Sequence, residues 1–181
     1  RDWPEPVHRR YSEVNLGVEA NVELGLDWVF SQVERAIVLE DDCRPDPTFF
    51  RYADELLDRY ADDARVWQIS GNSLAVPEGL FGDRSYAFAA WASVWGWATW
   101  ADRWRAHRAV FPRDHAGPGG DAPARTKPFS PAPGRLVTRS GQRHFADAAA
   151  SPDVVTHGWD KHWWLTIMTE GGLCATPRHS M

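Results

Sequence analysis

Hydrophobic and polar positions follow two different periods along the chain, which predicts helices and strands in alternation. A helical period over residues 15–33 predicts an amphipathic helix with Asn15 as its N-cap. The continuous apolar run 36–39 is typical of a strand buried on both faces. Residues 47–61 return to a helical pattern that opens with proline, and 65–69 read as the next strand. This order predicts an α/β fold with a mostly parallel central sheet flanked by helices.

The second half of the chain is less regular. Residues 85–89 are weakly strand-like, helical patterns occupy 99–110 and 158–169, and "GGLCATP" predicts a last strand. Residues 113–152 are rich in glycine, proline and basic side chains, which predicts a flexible loop. A lid that closes over a phosphate-bearing ligand and simple disorder are the two interpretations of that loop.

Composition narrows the class of protein. The 181 residues, 43% of them hydrophobic, are enough for a single domain over 1–181. The net charge of −5 argues against general binding to nucleic acid. Cys43 and Cys174 are too few for a disulfide framework and favour a reducing compartment such as the cytoplasm. The uncharged run 85–101 is short for a membrane span and has tryptophans at its centre, so we predict a buried or cleft-lining segment.

Three acids, Glu40, Asp41 and Asp42, directly follow the predicted strand 36–39. Ligands of open parallel sheets bind beyond the carboxyl ends of the strands. Three adjacent carboxylates repel one another, and Mg²⁺ or Mn²⁺ would offset that repulsion while leaving coordination positions for substrate phosphates. The alternative is that the acids of this region simply cap the following helix, a task for which Asp46 is well placed.

The stretch "IVLEDDCRPDPTFFRYADELLDRYADDARVWQISGNS" resembles the central part of the GT-A nucleotide-sugar glycosyltransferases. It is most similar to the inverting N-acetylglucosaminyltransferase I type. "WGWATW" at 95–100 and the pair Trp159-Asp160 also resemble bacterial family-2-like nucleotide-diphospho-sugar transferases. The resemblance covers about residues 14–110 and 156–177. It implies a GT-A fold that is incomplete at its amino-terminal side, where the first strand and the base-gripping loop are expected.

The resemblance also implies roles for individual residues. Asp42 would be the metal ligand, with Mn²⁺ or Mg²⁺ as the cofactor. Glu40 and Asp41 would face the donor ribose and the water shell of the metal. Asp160 would be the general base that activates an acceptor hydroxyl. The implied function is a metal-dependent transfer of sugar from a nucleotide-diphosphate donor to an acceptor hydroxyl, with inversion.

Some of these positions have other interpretations. Asp160 is also a typical acid of a first helical turn, and Asp153 is a nearby rival for the base. Asn72 follows a strand end, where it either contacts the donor or serves a turn. Trp95 and Trp97 flank Gly96, which allows close backbone approach, so we predict that they contact a saccharide acceptor, although aromatic runs are more often core.

Two other functions compete with glycosyl transfer. A non-catalytic carbohydrate-binding module would use tryptophans as its platform and would need neither the acidic triplet nor Asp160. A metal-dependent phosphate-ester hydrolase would use the triplet, but that chemistry usually needs two metals and more scattered carboxylates.

Overall fold

A computed structural model describes residues 6–74, 76–111 and 158–181. The predicted loop 113–152 lies outside the described residues. The described elements, in chain order, are α1 (Gly17–Phe30), β1 (Arg35–Val38), α2 (Pro47–Arg59), β2 (Val66–Ser70), a 3-10 turn (Glu78–Leu80), β3 (Tyr86–Ala89), β4 (Trp97–Trp100), α3 (Ala101–Val110), α4 (Trp159–Glu170) and β5 (Leu173–Pro177).

The described strands form one sheet of five strands in the order β1-β4-β2-β5-β3. Only β2 and β5 are parallel neighbours. Strand β4 lies between β1 and β2 and is antiparallel to both, and β3 is antiparallel to β5. The α/β class is confirmed, but the prediction of a mostly parallel sheet was wrong.

The error comes from the uncharged run 85–101. Its alternation was too weak to identify 97–100 as a strand, and the helical prediction for 99–110 absorbed part of it. In the structure Trp97 and Thr99 face one side of the sheet and Ala98 and Trp100 the other, and all four are buried. Strand β4 lies between β1 and β2 and runs opposite to both, so both of its pairings are antiparallel.

Helices cover both faces of the sheet. Helix α2 packs on one face, where Phe49, Ala53, Leu56 and Leu57 meet apolar residues of β2, β4 and β5. Helices α1, α3 and α4 cover the other face. That second core is aromatic and contains Trp67, Trp97, Trp104, Trp159 and Trp163. Most of the unusual tryptophan content is therefore packing.

Strand β1 lies at an edge of the sheet, and its four residues are only half-buried. The sequence had predicted burial on both faces, as an apolar run of this kind indicates for a central strand. The fully buried strands are β2 and β4, each of which has neighbours on both sides.

The start of α2 shows which acid of this region caps the helix. Asp46 Oδ1 accepts hydrogen bonds from the Thr48 backbone N–H at 2.9 Å and from its hydroxyl at 2.6 Å, and Pro47 opens the helix. These bonds stabilise the charged carboxylate and lower the pKa of Asp46. Asp46 alone thus caps α2, and the triplet at 40–42 is not used for this purpose.

No helix within the described parts of the chain is long and apolar enough to cross a membrane. The uncharged run 85–101 contains β3, a loop and β4. It is a sheet segment, as expected for a buried or cleft-lining stretch.

The close packing around Gly71, just after β2, can be tested by its effect on stability. We expect Gly71→Ala to lower the free energy of unfolding by about 1–3 kcal/mol, as overpacking does. A Cβ there would lie 2.7 Å from the Gly96 carbonyl oxygen and 2.9 Å from the Phe49 ring. The matched control is Gly25→Ala in α1, where a Cβ meets nothing within 4 Å. It should raise stability by about 0.5–1 kcal/mol, because alanine is the better helix former. Urea unfolding measures both, and a neutral Gly71→Ala would contradict the tight approach.

Candidate functional site

The loops that carry the predicted site residues lie at one end of the sheet, beyond the carboxyl ends of three strands. Strands β1, β2 and β5 run in the same direction and finish at this end, and the antiparallel β4 begins there. The loops that follow β1 and β2, the loop that precedes β4, and the residues after β5 are therefore neighbours. They carry, respectively, the acidic triplet, Asn72, Trp95 and Met181.

Two cavities flank the triplet. The first, which we call the Trp95 cavity, has a volume of about 250 Å³, and its walls include Asp42, Arg44, Gly71, Trp95 and Met181. The second, the α1 cavity, has a volume of about 630 Å³ and lies between α1, the triplet and the start of α4. Leu39 and Asp42 line both, so the turn after β1 lies between two adjoining spaces.

The α1 cavity has an apolar wall and a charged end. Helix α1 contributes Val18, Val22, Leu26 and Val29 to the wall, together with Trp28 and Asn21. The charged residues of the lining are the acids Glu40, Asp41 and Asp42 and the base Arg10, and Trp159 of α4 also lines the cavity. A ligand with a flat apolar part and an anionic part that is bridged by a cation matches this arrangement.

Asp41 and Asp42 are exposed, whereas Glu40 is half-buried. Burial raises the pKa of Glu40 above its ordinary value, and the charges of Asp42, Asp160 and Asp41 raise it further. The influence of Asp160 shows that the fold brings this aspartate, more than a hundred residues away in sequence, into the electrostatic field of the triplet.

Asp160 lies in the first turn of α4 and is half-buried. Gly158 caps this helix with φ of +111°, in the left-handed region that favours glycine, and its N–H donates to the Glu19 carboxylate of α1. A Cβ on Gly158 would lie 3.4 Å from Asp160 Oδ1, so glycine also leaves room beside that carboxylate. The helix is anchored by Trp159 and Trp163, both buried.

The carboxylates have the right chemistry for Mg²⁺ or Mn²⁺, and within the described residues no Lys, Arg or His side chain forms an ion pair with Glu40, Asp41, Asp42 or Asp160. The described parts of the chain contain no group of three or more His, Cys, Asp or Glu side chains arranged to hold a metal by themselves. One or two protein carboxylates suffice when a diphosphate supplies the remaining oxygen ligands. The donor set therefore suits a metal that arrives with its substrate.

Asn72 is buried and faces the loop before β4. Its Nδ2 donates to the Ser93 hydroxyl at 2.5 Å and to the Trp95 carbonyl oxygen at 3.3 Å. The amide N–H groups are thus used inside the protein, which favours the structural interpretation of this residue over a donor contact.

Trp95 and Trp97 have different environments. The side chain of Trp95 is 59% exposed and lines the Trp95 cavity, as a sugar platform requires. The ring of Trp97 is fully buried and contacts Trp159 and Trp163. Residues two apart in a regular strand share a face, but β4 begins only at Trp97, and Gly96, with φ of +73°, turns the chain between the two tryptophans. Trp97 offers no surface to an acceptor and is a core residue.

Some residues of the site were missed from the sequence. Arg44 lines the Trp95 cavity two residues after Asp42, but a single arginine in a Pro-rich turn has no recognisable pattern. Met181 and Ser93 reach the site only through long-range packing. A usable signal did exist in and just after β2, where Gln68, Ser70 and Asn72 put polar side chains at every second position.

Comparison of the whole chain with protein-family models finds no match, and no curated protein matches it significantly.

Proposed function

We propose that this chain is a metal-dependent glycosyltransferase with a GT-A type of fold, which uses a nucleotide-diphospho-sugar as its donor. The observation that supports this best is the position of Asp42 between two cavities, one with an apolar wall and the other with an exposed indole. Two substrates that must meet at one reacting bond need such a pair of adjoining spaces.

In this proposal the α1 cavity receives the donor. Its apolar wall would accommodate the nucleoside, and its acidic end would lie at the diphosphate. Asp42, assisted by Glu40 and Asp41, would hold Mn²⁺ or Mg²⁺, which supplies positive charge to the departing diphosphate. The repulsion among these carboxylates, which adds to burial in raising the pKa of Glu40, would then be offset on binding.

The acceptor would enter through the Trp95 cavity. Its sugar ring would stack on the indole of Trp95, because the C–H face of a sugar is apolar. Asp160 would remove the proton from the acceptor hydroxyl, a contribution of about 10²–10⁴-fold for a well-placed general base. Attack from the side opposite the diphosphate would invert the anomeric centre, as the resemblance implies. We also propose a cytoplasmic location, since both cysteines are free thiols.

A thermal-shift screen tests the donor half of this proposal. We expect at least one of the UDP-, GDP- and dTDP-sugars to raise the melting temperature when Mn²⁺ is present, and EDTA to remove the shift. Release of nucleoside diphosphate, with water or a saccharide as acceptor, then measures turnover. Turnover of simple phosphate esters instead would indicate a hydrolase.

A carbohydrate-binding module is the second candidate, and the exposure of Trp95 (59%) and Trp91 (37%) favours it. Binding of saccharides by the wild type in EDTA, with no response to any nucleotide-sugar, would establish this alternative.

The role of Trp95 gives a separate prediction. We expect Trp95→Ala to raise the acceptor KM about 3- to 10-fold, the magnitude of one aromatic stacking contact, with donor KM and melting temperature nearly unchanged because the side chain is largely exposed. Trp95→Phe should retain most of the affinity. Steady-state kinetics with a series of saccharide acceptors checks this, and an unchanged acceptor KM in Trp95→Ala would remove Trp95 from the site.

A further inference from the structure

A buried chain of hydrogen bonds connects helix α4, which carries Asp160, with the loop that carries Trp95. Trp163 Nε1 donates to Gln68 Oε1 at 2.6 Å. Gln68 Nε2 donates to the Ser93 carbonyl oxygen at 2.7 Å, and Ser93 Oγ accepts from Asn72 Nδ2 at 2.5 Å. The other bond of Asn72 goes to the carbonyl oxygen of Trp95 itself, at 3.3 Å. We call Trp163, Gln68, Ser93 and Asn72 the polar relay.

The chemistry of the partners fixes the orientation of both amides. The indole N–H of Trp163 is a donor only, so it must face the oxygen of Gln68, and the nitrogen of Gln68 then faces Ser93. The carbonyl of Trp95 is an acceptor only, so the nitrogen of Asn72 must face it. Reversal of either amide would place two acceptors or two donors against each other in a buried site, which is costly.

All members of the polar relay are buried; Gln68 and Trp163 are fully enclosed, and Asn72 and Ser93 are each 8% exposed. Buried polar groups that satisfy one another specify a single arrangement of the elements that carry them. Here those elements are α4, the strand β2 and the loop before β4. The Gly71 N–H adds a further bond to the same loop by donating to the Gly96 carbonyl oxygen at 2.8 Å.

Each end of the relay lies on an element that carries a candidate acceptor-side group. At one end the buried Trp163 is one helical turn after Asp160 on α4, and at the other end the carbonyl oxygen of Trp95 accepts from Asn72. Trp95 is the exposed indole of the Trp95 cavity. A polar chain through a tryptophan-rich core is a costly way to fill space, since apolar side chains would pack there as well. Its placement therefore indicates a role in geometry.

We propose that Gln68 and Asn72 are positioning residues, which fix the indole of Trp95 relative to Asp160 so that a saccharide stacked on the one presents a hydroxyl to the other. This inference rests on the proposed function, and it names the acceptor class as a saccharide. It also gives Asn72 a task different from the donor contact expected from the sequence.

Asn72→Leu and Asn72→Asp test the proposal. Both keep the size of the side chain and remove its two N–H donors, and the leucine variant adds no charge near Asp42. Ser70→Ala is the matched control, because the Ser70 hydroxyl accepts from Gln68 Nε2 at 2.9 Å but lies outside the path from Trp163 to Trp95. The donor is the nucleotide-sugar that raises the melting temperature of the wild-type protein in the thermal-shift screen. Mn²⁺ is the metal, and p-nitrophenyl glycosides are the acceptors.

We expect both Asn72 variants to raise the acceptor KM about tenfold or more, the effect of a misplaced binding group, while donor hydrolysis by Asn72→Leu stays within about twofold of wild type. Ser70→Ala should lose similar stability yet keep the acceptor KM within about twofold. An unchanged acceptor KM in the Asn72 variants, or an equal rise in Ser70→Ala, would overturn the proposal.

Amide hydrogen exchange supplies a readout that needs no ligand. Peptides covering 91–96 should exchange faster in Asn72→Leu than in wild type or Ser70→Ala, and equal exchange in all three would refute the positioning role. If the wild type neither binds nor hydrolyses any nucleotide-sugar, the proposed function fails. The exchange measurement then still decides whether Asn72 holds the Trp95 loop.

Discussion

Asp42→Ala abolishes both Mn²⁺-dependent donor binding and sugar transfer, if the carboxylate between the two cavities is the metal ligand. The expected loss of turnover is at least about 10³-fold, because the departing diphosphate loses the positive charge that stabilises it. Isothermal titration of Mn²⁺ with the nucleoside diphosphate measures binding, and release of nucleoside diphosphate measures turnover. The melting temperature without metal should not fall, since Asp42 is exposed and its removal reduces repulsion with Glu40.

Asp62→Asn is the control for loss of an exposed acid, since it lies after α2 and lines neither of the two cavities. It should leave metal binding and turnover unchanged. If the Asp42 variant still takes up manganese and transfers sugar, the metal assignment and the proposed transferase mechanism both fail.

Asp160→Asn should lower the rate of transfer to an acceptor by about 10²–10⁴-fold while donor affinity stays near wild type. Asparagine keeps the shape of the side chain but cannot accept the acceptor proton. The carboxamide also removes one of the charges that act on Glu40, so the pKa of Glu40 should move back towards its ordinary value. Stopped-flow or steady-state turnover measures the rate of transfer, and titration with the donor measures donor affinity, so the two measurements distinguish loss of the base from loss of donor binding.

Asp153→Asn serves as the comparison, because Asp153 is the rival base from the sequence and lies outside the described residues. Full activity of Asp160→Asn together with an inactive Asp153→Asn would move the base assignment to Asp153. Loss of donor binding in Asp160→Asn would instead place this aspartate among the donor or metal contacts.

Local signals predicted most elements well. Pro47 after Asp46 marked the start of α2 because both the cap and the fixed φ of proline act within one turn. The apolar run before the acidic triplet marked β1, and the pattern after Gly158 marked α4. These signals depend on residues that are neighbours in sequence, so they need no knowledge of distant parts of the chain.

Errors arose where the environment of a side chain depends on distant partners. Local sequence does not distinguish Phe49 from Phe50, yet Phe49 is fully buried beneath Gly71 and Gly96 while Phe50 is 45% exposed. Trp97 was predicted as a ligand contact, but the pairing of β4 with both β1 and β2 turns its ring into the core.

Local sequence patterns were enough to predict most of the helices and strands, the acidic triplet at a strand end and the excess of tryptophan that forms much of the core. The direction of β4, the edge position of β1, the electrostatic influence of Asp160 on Glu40 and the inward orientation of Asn72 depend on long-range packing. The physical reason is the separation along the chain of the residues that each interaction joins. Helix caps and apolar periodicity act over a few residues, whereas strand pairing, desolvation and buried hydrogen bonds join residues that the chain separates by tens of positions.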